Sequence, residues 1–184
     1  KRAIQDSQWE PGGDNSRPDL YAPAFRINSF LIAHHPDVRD HNGNNAQVLY
    51  GKCEDTDEYL SMLEKVVVKM KTRGCVCLKF AVDAGHILSF NGGSKQIADR
   101  IFGKPPEEVT QADVTAFADY VFEQICVIAA RHNIPLQCHT GLGTPSTSHP
   151  LNLIPVIERH RDTKFVILHG GYPWINEVAA LTHN

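Results

Sequence analysis

The sequence has no apolar run approaching the roughly 20 residues that cross a bilayer, and Lys1-Arg2-Ala3-Ile4-Gln5 lacks the apolar core of a signal peptide. A membrane span is therefore not expected, and a cytoplasmic protein is. Sustained lysine or arginine blocks are also missing: 18 basic residues face 21 acidic ones, for a formal net charge of -3. Without a basic patch to neutralise phosphates, nucleic acid and anionic membrane are excluded as main partners, which leaves a small neutral or polar substrate; a homo-oligomer stays open. Cysteine is scarce and odd in number, at positions 53, 75, 77, 126 and 138. Cys75-Val76-Cys77 has no second Cys or His pair at zinc-site spacing, so the thiols are read as free. An initiator methionine is missing too, and the chain stops at Thr182-His183-Asn184 directly after an apolar helical pattern. Those ends lead us to expect an internal piece of a longer protein, inactive when alone.

What is present is ordinary for one soluble α/β domain, with 42% hydrophobic and 21% charged residues. Residues 1–23 are polar and turn-rich and are expected to form a loop or extended arm, with a barrel-type segment over 24–184. Four apolar stretches read as strands: Phe25 to Ile32, Cys75 to Ala81, Ile134 to His139 and Lys164 to His169. Between them, Asp55 or Thr56 caps a helix running to Gly74, Ser94 starts a short one, and Thr110 with Asp113 opens a long one closed by Asn133. Pro150 to His160 and Trp174 to Leu181 complete the helices. Near-continuous apolar strands alternating with helices imply a parallel sheet covered by helices, either a doubly wound sheet or a (β/α) barrel. A complete barrel takes eight strands and usually about 250 residues, so a barrel would be incomplete here.

Three of these strands finish in a chemically capable residue: Lys79, His139 and His169. Ligands of parallel α/β folds bind at the carboxyl ends of strands. Strand alternation assigns Cys75, Cys77 and Lys79 to one face, Pro135, Gln137 and His139 to the matching face, and Phe165, Ile167 and His169 to the next, all turned one way. Two imidazoles on adjacent strands, roughly 5 Å apart, suit a shared Zn, Mn or Fe ion, which would lower the pKa of its water to about 7. Lys79 would join such an ion only as a carbamate, or else bind substrate as a cation. A histidine ending a strand is also a common hydrogen-bonded core residue, so alternatives remain at this point: a metal enzyme, or a non-catalytic module that binds a small molecule or another subunit. His86 and His149 lie in loops after strand ends and are candidates for substrate contact; the remaining histidines are read as solvated.

From Arg26 onward the chain resembles the amidohydrolase superfamily of TIM-barrel metal-dependent hydrolases, in particular its amidohydrolase-related branch. The resemblance is carried by Phe25 to Phe30, Val76 to Ala81, Pro135-Leu-Gln-Cys-His-Thr-Gly-Leu-Gly143 and Lys164-Phe-Val-Ile-Leu-His-Gly-Gly-Tyr-Pro173. It implies an α/β partial (β/α)8 TIM barrel, about strands 3 to 6 with their helices. It makes His139 and His169 the metal ligands of the fifth and sixth strands, and Lys79 the fourth-strand residue that many members carboxylate. The implied cofactor is one or two divalent ions, zinc first, with Mn or Fe as alternatives. The implied reaction is hydrolysis of an amide, ester or related bond of a small molecule; decarboxylase, lyase and isomerase chemistry occur in the same superfamily. Gln137, Thr140, Gly141, Gly143 and His86 are the candidate substrate contacts, the glycines through backbone N–H groups at the mouth. The His-x-His of the family's first strand and the Asp of its eighth have no counterpart in this chain.

Overall fold

Asp55 accepts the Glu58 N–H at 2.8 Å and fixes the start of a 17-residue helix, and Thr110 and Asp113 exchange the reciprocal bonds of a capping box at the head of a 21-residue helix. Ser94 caps a third helix by accepting from Ile97. Each start lies where the sequence reading expected it. The computed structural model describes residues 1–81, 88–143 and 145–182, with the side chain of residue 145 excepted. Its elements in chain order are β1 (Ala3–Asp6), β2 (Tyr21–Arg26), α1 (Asn28–Leu31), α2 (Ala46–Tyr50), α3 (Thr56–Thr72), β3 (Cys77–Phe80), α4 (Lys95–Ile101) and α5 (Gln111–Arg131). There follow β4 (Leu136–Cys138), α6 (Pro145–Ser148), α7 (Ile154–Arg159), β5 (Phe165–Ile167) and α8 (Ile175–Leu181), with a 3-10 turn over Pro150–Leu153 and another over Leu168–Gly171. All five cysteines are buried and free.

All four strand pairings are parallel, and the spatial order β1-β2-β3-β4-β5 repeats the sequence order. A doubly wound sheet reverses its order at a switch point, and this sheet does not, so the winding is that of a barrel. The partial (β/α) barrel expected from sequence is the fold. Two expectations need correction. Residues 1–23 hold β1 and the start of β2, so the described sheet has five strands and not four. The run from Ile27 to Ile32 is not strand but the one-turn helix α1. A short continuous apolar run does not distinguish a buried strand from a buried turn of helix. Here tertiary partners decide: Asn28 donates from Nδ2 to the Ala81 carbonyl at 2.6 Å and accepts the Ala81 N–H at 3.0 Å, and the Tyr59 hydroxyl donates to the Phe30 carbonyl at 2.7 Å.

Register sorts the side chains into two faces. Phe25, Leu78, Leu136 and Phe165 are in line across β2 to β5, as are Phe80, Cys138 and Ile167, and all of them belong to or pack against the apolar core under α3 and α5. That core is rich in aromatics, with Phe25, Phe30, Tyr59, Phe117 and Phe122 almost wholly buried. The opposite face carries Arg26, Lys79, Gln137 and Val166 in one row, above Asp6, Ala24 and Cys77 in another. Phe165 and Ile167 therefore do not share the polar face, contrary to the alternation read from sequence; Val166 does.

Neighbouring helices are joined twice by one device. Glu64 of α3 takes Arg131 at 2.8 Å and the His132 ring at 2.7 Å from the end of α5, and Glu123 of α5 takes Arg159 and the His160 ring from the end of α7. The first cluster is largely exposed and contributes about 0–1 kcal/mol. The second is more enclosed, with 16% of the Glu123 side chain accessible. Burial by itself would raise the Glu123 carboxyl, but Arg159 and His160 outweigh it and hold its pKa below the ordinary value. A carboxyl depressed on folding stabilises above its unfolded pKa, and the benefit is lost as pH falls through the folded value. Glu123→Gln is expected to lower the unfolding midpoint at pH 7 and to flatten its fall on acidification, as thermal melts from pH 7 to 3 would read; parallel curves for both proteins would count against it.

Candidate functional site

The row Arg26, Lys79, Gln137, Val166 runs across the carboxyl ends of β2 to β5. Lys79 is 5% exposed, and its ammonium has no hydrogen-bond acceptor among the described residues. Burial pushes the Lys79 pKa down, with Asp6 opposing the shift and Arg26 adding to it. Gln137 is buried beside it in register.

His139 follows β4 immediately and extends the ladder by donating its N–H to the Phe80 carbonyl at 3.0 Å. Its ring Nε2 lies 3.0 Å from the Gly141 carbonyl. A carbonyl only accepts, so Nε2 carries the proton and Nδ1 keeps a bare lone pair. His169 reaches the site by another route. It falls in the turn after β5 with φ 58°, and Gly170 and Gly171 follow at φ 55° and 64°. A left-handed conformation costs a residue with a Cβ roughly 1–2 kcal/mol, and the loop after β4 supplies what holds it. The Thr140 hydroxyl donates to the Leu168 carbonyl at 2.8 Å, and the Leu142 N–H donates to the Tyr172 carbonyl at 3.1 Å. The outcome is a pair of imidazoles with centroids 4.6 Å apart and planes at 67°. Burial lowers both pKa values; His169 and then Lys79 depress His139 further, and Lys79 depresses His169. Both rings are thereby kept in the neutral form that presents a lone pair.

Lys79, Gln137, His139 and His169 thus converge at one mouth. Thr140 is buried at 1% exposure with its hydroxyl committed to Leu168, so it shapes the site from behind. The Gly141 N–H is donated to the Ser148 carbonyl at 2.7 Å, which corrects the expectation that it is free to meet a substrate oxygen. Gly143 is exposed at the rim. His86 lies outside the described residues. His149 packs against Trp174 at 4.9 Å and accepts the Leu151 N–H, a capping role. The sequence reading missed Asp6 and Arg26: the Arg26 Nε donates to Asp6 Oδ1 at 3.1 Å and its Nη2 to Oδ2, on the face that holds Lys79. The available signal was register, since Arg26 stands directly beside Lys79 once β2 is taken to end there.

The donor chemistry of the histidine pair fits a divalent transition metal, to which neutral imidazole is well suited. In number the set is short, because no group of three or more His, Cys, Asp or Glu able to hold an ion occurs among the described residues, and protein metal sites take at least three protein ligands as a rule.

Comparison with known proteins agrees with this architecture. Residues 101–183 match the model of the Amidohydrolase family. No curated protein matches the chain significantly. Among solved structures, a protein assigned as a metal-dependent hydrolase from Lactobacillus casei ATCC 334 superposes with TM-score 0.63 at 18% identity over 88% of this chain and 41% of its own. Uronate isomerase from Thermotoga maritima superposes with TM-score 0.58 at 14% identity over 96% of this chain and 46% of its own. The chain spans less than half the length of either structure.

Proposed function

We propose that this chain belongs to the amidohydrolase superfamily, as the match over residues 101–183 supports, and that it contributes the His139 and His169 corner of a divalent-metal centre in an enzyme that hydrolyses an amide, ester or related bond of a small molecule. The observation that carries the reading is the approach of two imidazoles, their ring centroids 4.6 Å apart, at the carboxyl ends of adjacent parallel strands, maintained by a left-handed histidine. Backbone strain of this kind persists where function uses it.

An ion bound there, zinc in our reading and Mn or Fe as alternatives, one or two in number, supplies Lewis acidity and activated water at neutral pH. The protein's own groups prepare that chemistry. The Gly141 carbonyl fixes the His139 tautomer and ring, so that Nδ1 would be the atom that holds an ion. Thr140 holds the Leu168 carbonyl and with it the turn that aims His169. Lys79 serves as a ligand after its neutral amine takes up carbon dioxide as a carbamate with loss of a proton, or as a cation that binds substrate. Gln137 and the rim at Gly143 contact substrate, as does His86. The likeness to an isomerase supports a second reading, sugar-acid isomerisation on the same strand ends; decarboxylation is the third chemistry of the superfamily.

The test is metal analysis of the purified protein with thermal unfolding before and after chelation. At least one equivalent of metal and a midpoint that falls on stripping and returns with Zn, Mn or Fe is expected; an ion at 100 times its Kd adds about 2.7 kcal/mol. A protein without metal whose melting ignores all three ions overturns the proposal in favour of a non-catalytic binding module.

A further inference from the structure

We infer that the cleft between α3 and the loop that follows α2 is a second ligand site, which takes a phosphate monoester with an apolar body. The phosphate lies among Lys52, Lys65 and Lys69, and the body lies against Tyr50, Met62 and Val66. The inference does not depend on the metal reading, because α3 covers the core face of the sheet, opposite the face that carries Arg26 and Lys79.

Glu58, Met62, Lys65, Val66 and Lys69 recur at helical spacing along α3, and with Tyr50, Gly51 and Lys52 they enclose about 340 Å³. That volume is at the small end of the range for small-molecule pockets. Tyr50 is fixed from the core side: its ring stacks on Phe30 with centroids 5.4 Å apart and planes at 6°, and meets the Phe25 ring edgewise at 6.3 Å. Its hydroxyl has no hydrogen-bond partner among the described residues. Neither is it sealed in, since the fully buried side-chain polar atoms that lack a partner belong to Gln5, Ser29, His34 and Asn42. Burial pushes the Tyr50 pKa up to about 12, with Cys75 adding to the shift, so the phenol is a neutral donor at pH 7. A rigid donor at the wall of a pocket, with nothing to donate to, is placed to meet a ligand oxygen.

The charges name the ligand. Lys65 and Lys69 stand one turn apart on α3, and like charges at that spacing destabilise a helix slightly. Lys52 lines the same cleft from the loop, and none of the three has an ion-pair partner among the described residues. Glu58 is the acid of the lining, and its Oε2 already accepts the Glu54 N–H at 2.8 Å. Three cations against one carboxylate leave two positive charges unanswered. A phosphate monoester carries about 1.5 to 2 negative charges at pH 7, where a carboxylate carries one. Lysine ammoniums are point charges suited to phosphate oxygens, whereas a planar carboxylate favours the arginine fork, which this cleft lacks. A fringe of solvated lysines would account for the charges, but not for a concave wall that holds an unpartnered phenol among apolar side chains.

The test is calorimetric titration of the purified protein with phenyl phosphate, inorganic phosphate and benzoate, at about 0.15 M salt, where exposed charges are screened beyond about 8 Å. Phenyl phosphate is expected to bind about ten-fold more tightly than either, because inorganic phosphate lacks the ring and benzoate the second charge. Lys65→Gln combined with Lys69→Gln should weaken phenyl phosphate about ten-fold, and Tyr50→Phe, which keeps the ring and loses the donor, about five-fold. Phosphate bound by an ion at the imidazole pair is common to all these proteins and cancels in the comparison. Phenyl phosphate held no better than benzoate or inorganic phosphate, or held equally by the double lysine variant, overturns the inference. Should the double variant fail to fold, unchanged phenyl phosphate binding in Tyr50→Phe does so.

Discussion

On the metal-centre proposal, His169→Ala in the enzyme that contains this chain is expected to abolish metal uptake and turnover together while leaving the protein folded, and His139→Ala to do the same. Loss of a hydrogen-bond partner behind a metal ligand typically costs 10–100-fold in metal affinity or activity, and deleting the ligand itself should exceed that. The fold does not depend on these rings. His139 bonds through its side chain to a nearby loop carbonyl and His169 to no protein group among the described residues, and neither belongs to the apolar core. His169→Ala also relaxes no left-handed strain, since alanine keeps a Cβ, so the turn stays as costly as before and the effect isolates the ring. Metal content per chain, turnover and circular dichroism measured on one preparation decide the matter. Retained folding with metal and activity gone supports the enzyme; loss of folding with normal metal content in the folded fraction marks the histidines as core residues. His160→Ala, far from the strand ends, should leave metal content unchanged.

The second large effect is expected at Gly141. It occupies φ 65°, and a Cβ there would lie 2.2 Å from the Tyr172 carbonyl oxygen and 2.8 Å from Gly171 C and Tyr172 N. These are backbone atoms of the turn that carries His169 and cannot rotate away. Overpacking of this kind costs about 1–3 kcal/mol and the left-handed backbone roughly 1–2 more. The two loops would be wedged apart at the point where the imidazoles meet, so Gly141→Ala should depress metal affinity by more than its stability loss alone accounts for. Gly143→Ala is the control: its Cβ would meet the Ser148 side chain at 3.2 Å and no backbone atom nearer than 3.7 Å. Equal metal affinity in the two variants would show that the loops are not coupled through Gly141.

Helix starts were legible because capping is local: Asp55, Ser94 and Thr110 each bond within their own first turn. The ends of β3 and β4 were legible to within a residue because their apolar runs give way there to turn-forming sequence: Lys79 is the penultimate residue of β3, and His139 directly follows β4. Residues 27–32 were misread because their conformation is set by partners far away in sequence, Ala81 and Tyr59. β1 was overlooked for a related reason. Its Ile4 is 55% exposed, and an edge strand with little apolar content has no signature apart from the neighbour it pairs with. The His169 ring lies beside that of His139 by a route other than the one expected: alternation would turn it with Ile167 toward the core, and the left-handed turn redirects it. A Gly-Gly pair after the histidine is the sequence mark of that turn, since glycine takes positive φ without penalty.

The order of the sheet also governs when the site comes into being. Each strand pairs with the strand before it in sequence, so its partner has already been made when it leaves the ribosome, which delivers the amino-terminal part first. Lys79 and Arg26 are in position once β3 has docked, whereas the two imidazoles belong to β4 and β5 and meet only when the turn after β5 closes on the loop after β4. During synthesis the chain therefore places Arg26 and Lys79 before the pair of imidazoles, and the proposed ion would meet both rings only once the β5 unit is laid down. On the proposed function, metal acquisition would be a late event in the folding of the polypeptide and would report that the last of these units is in place.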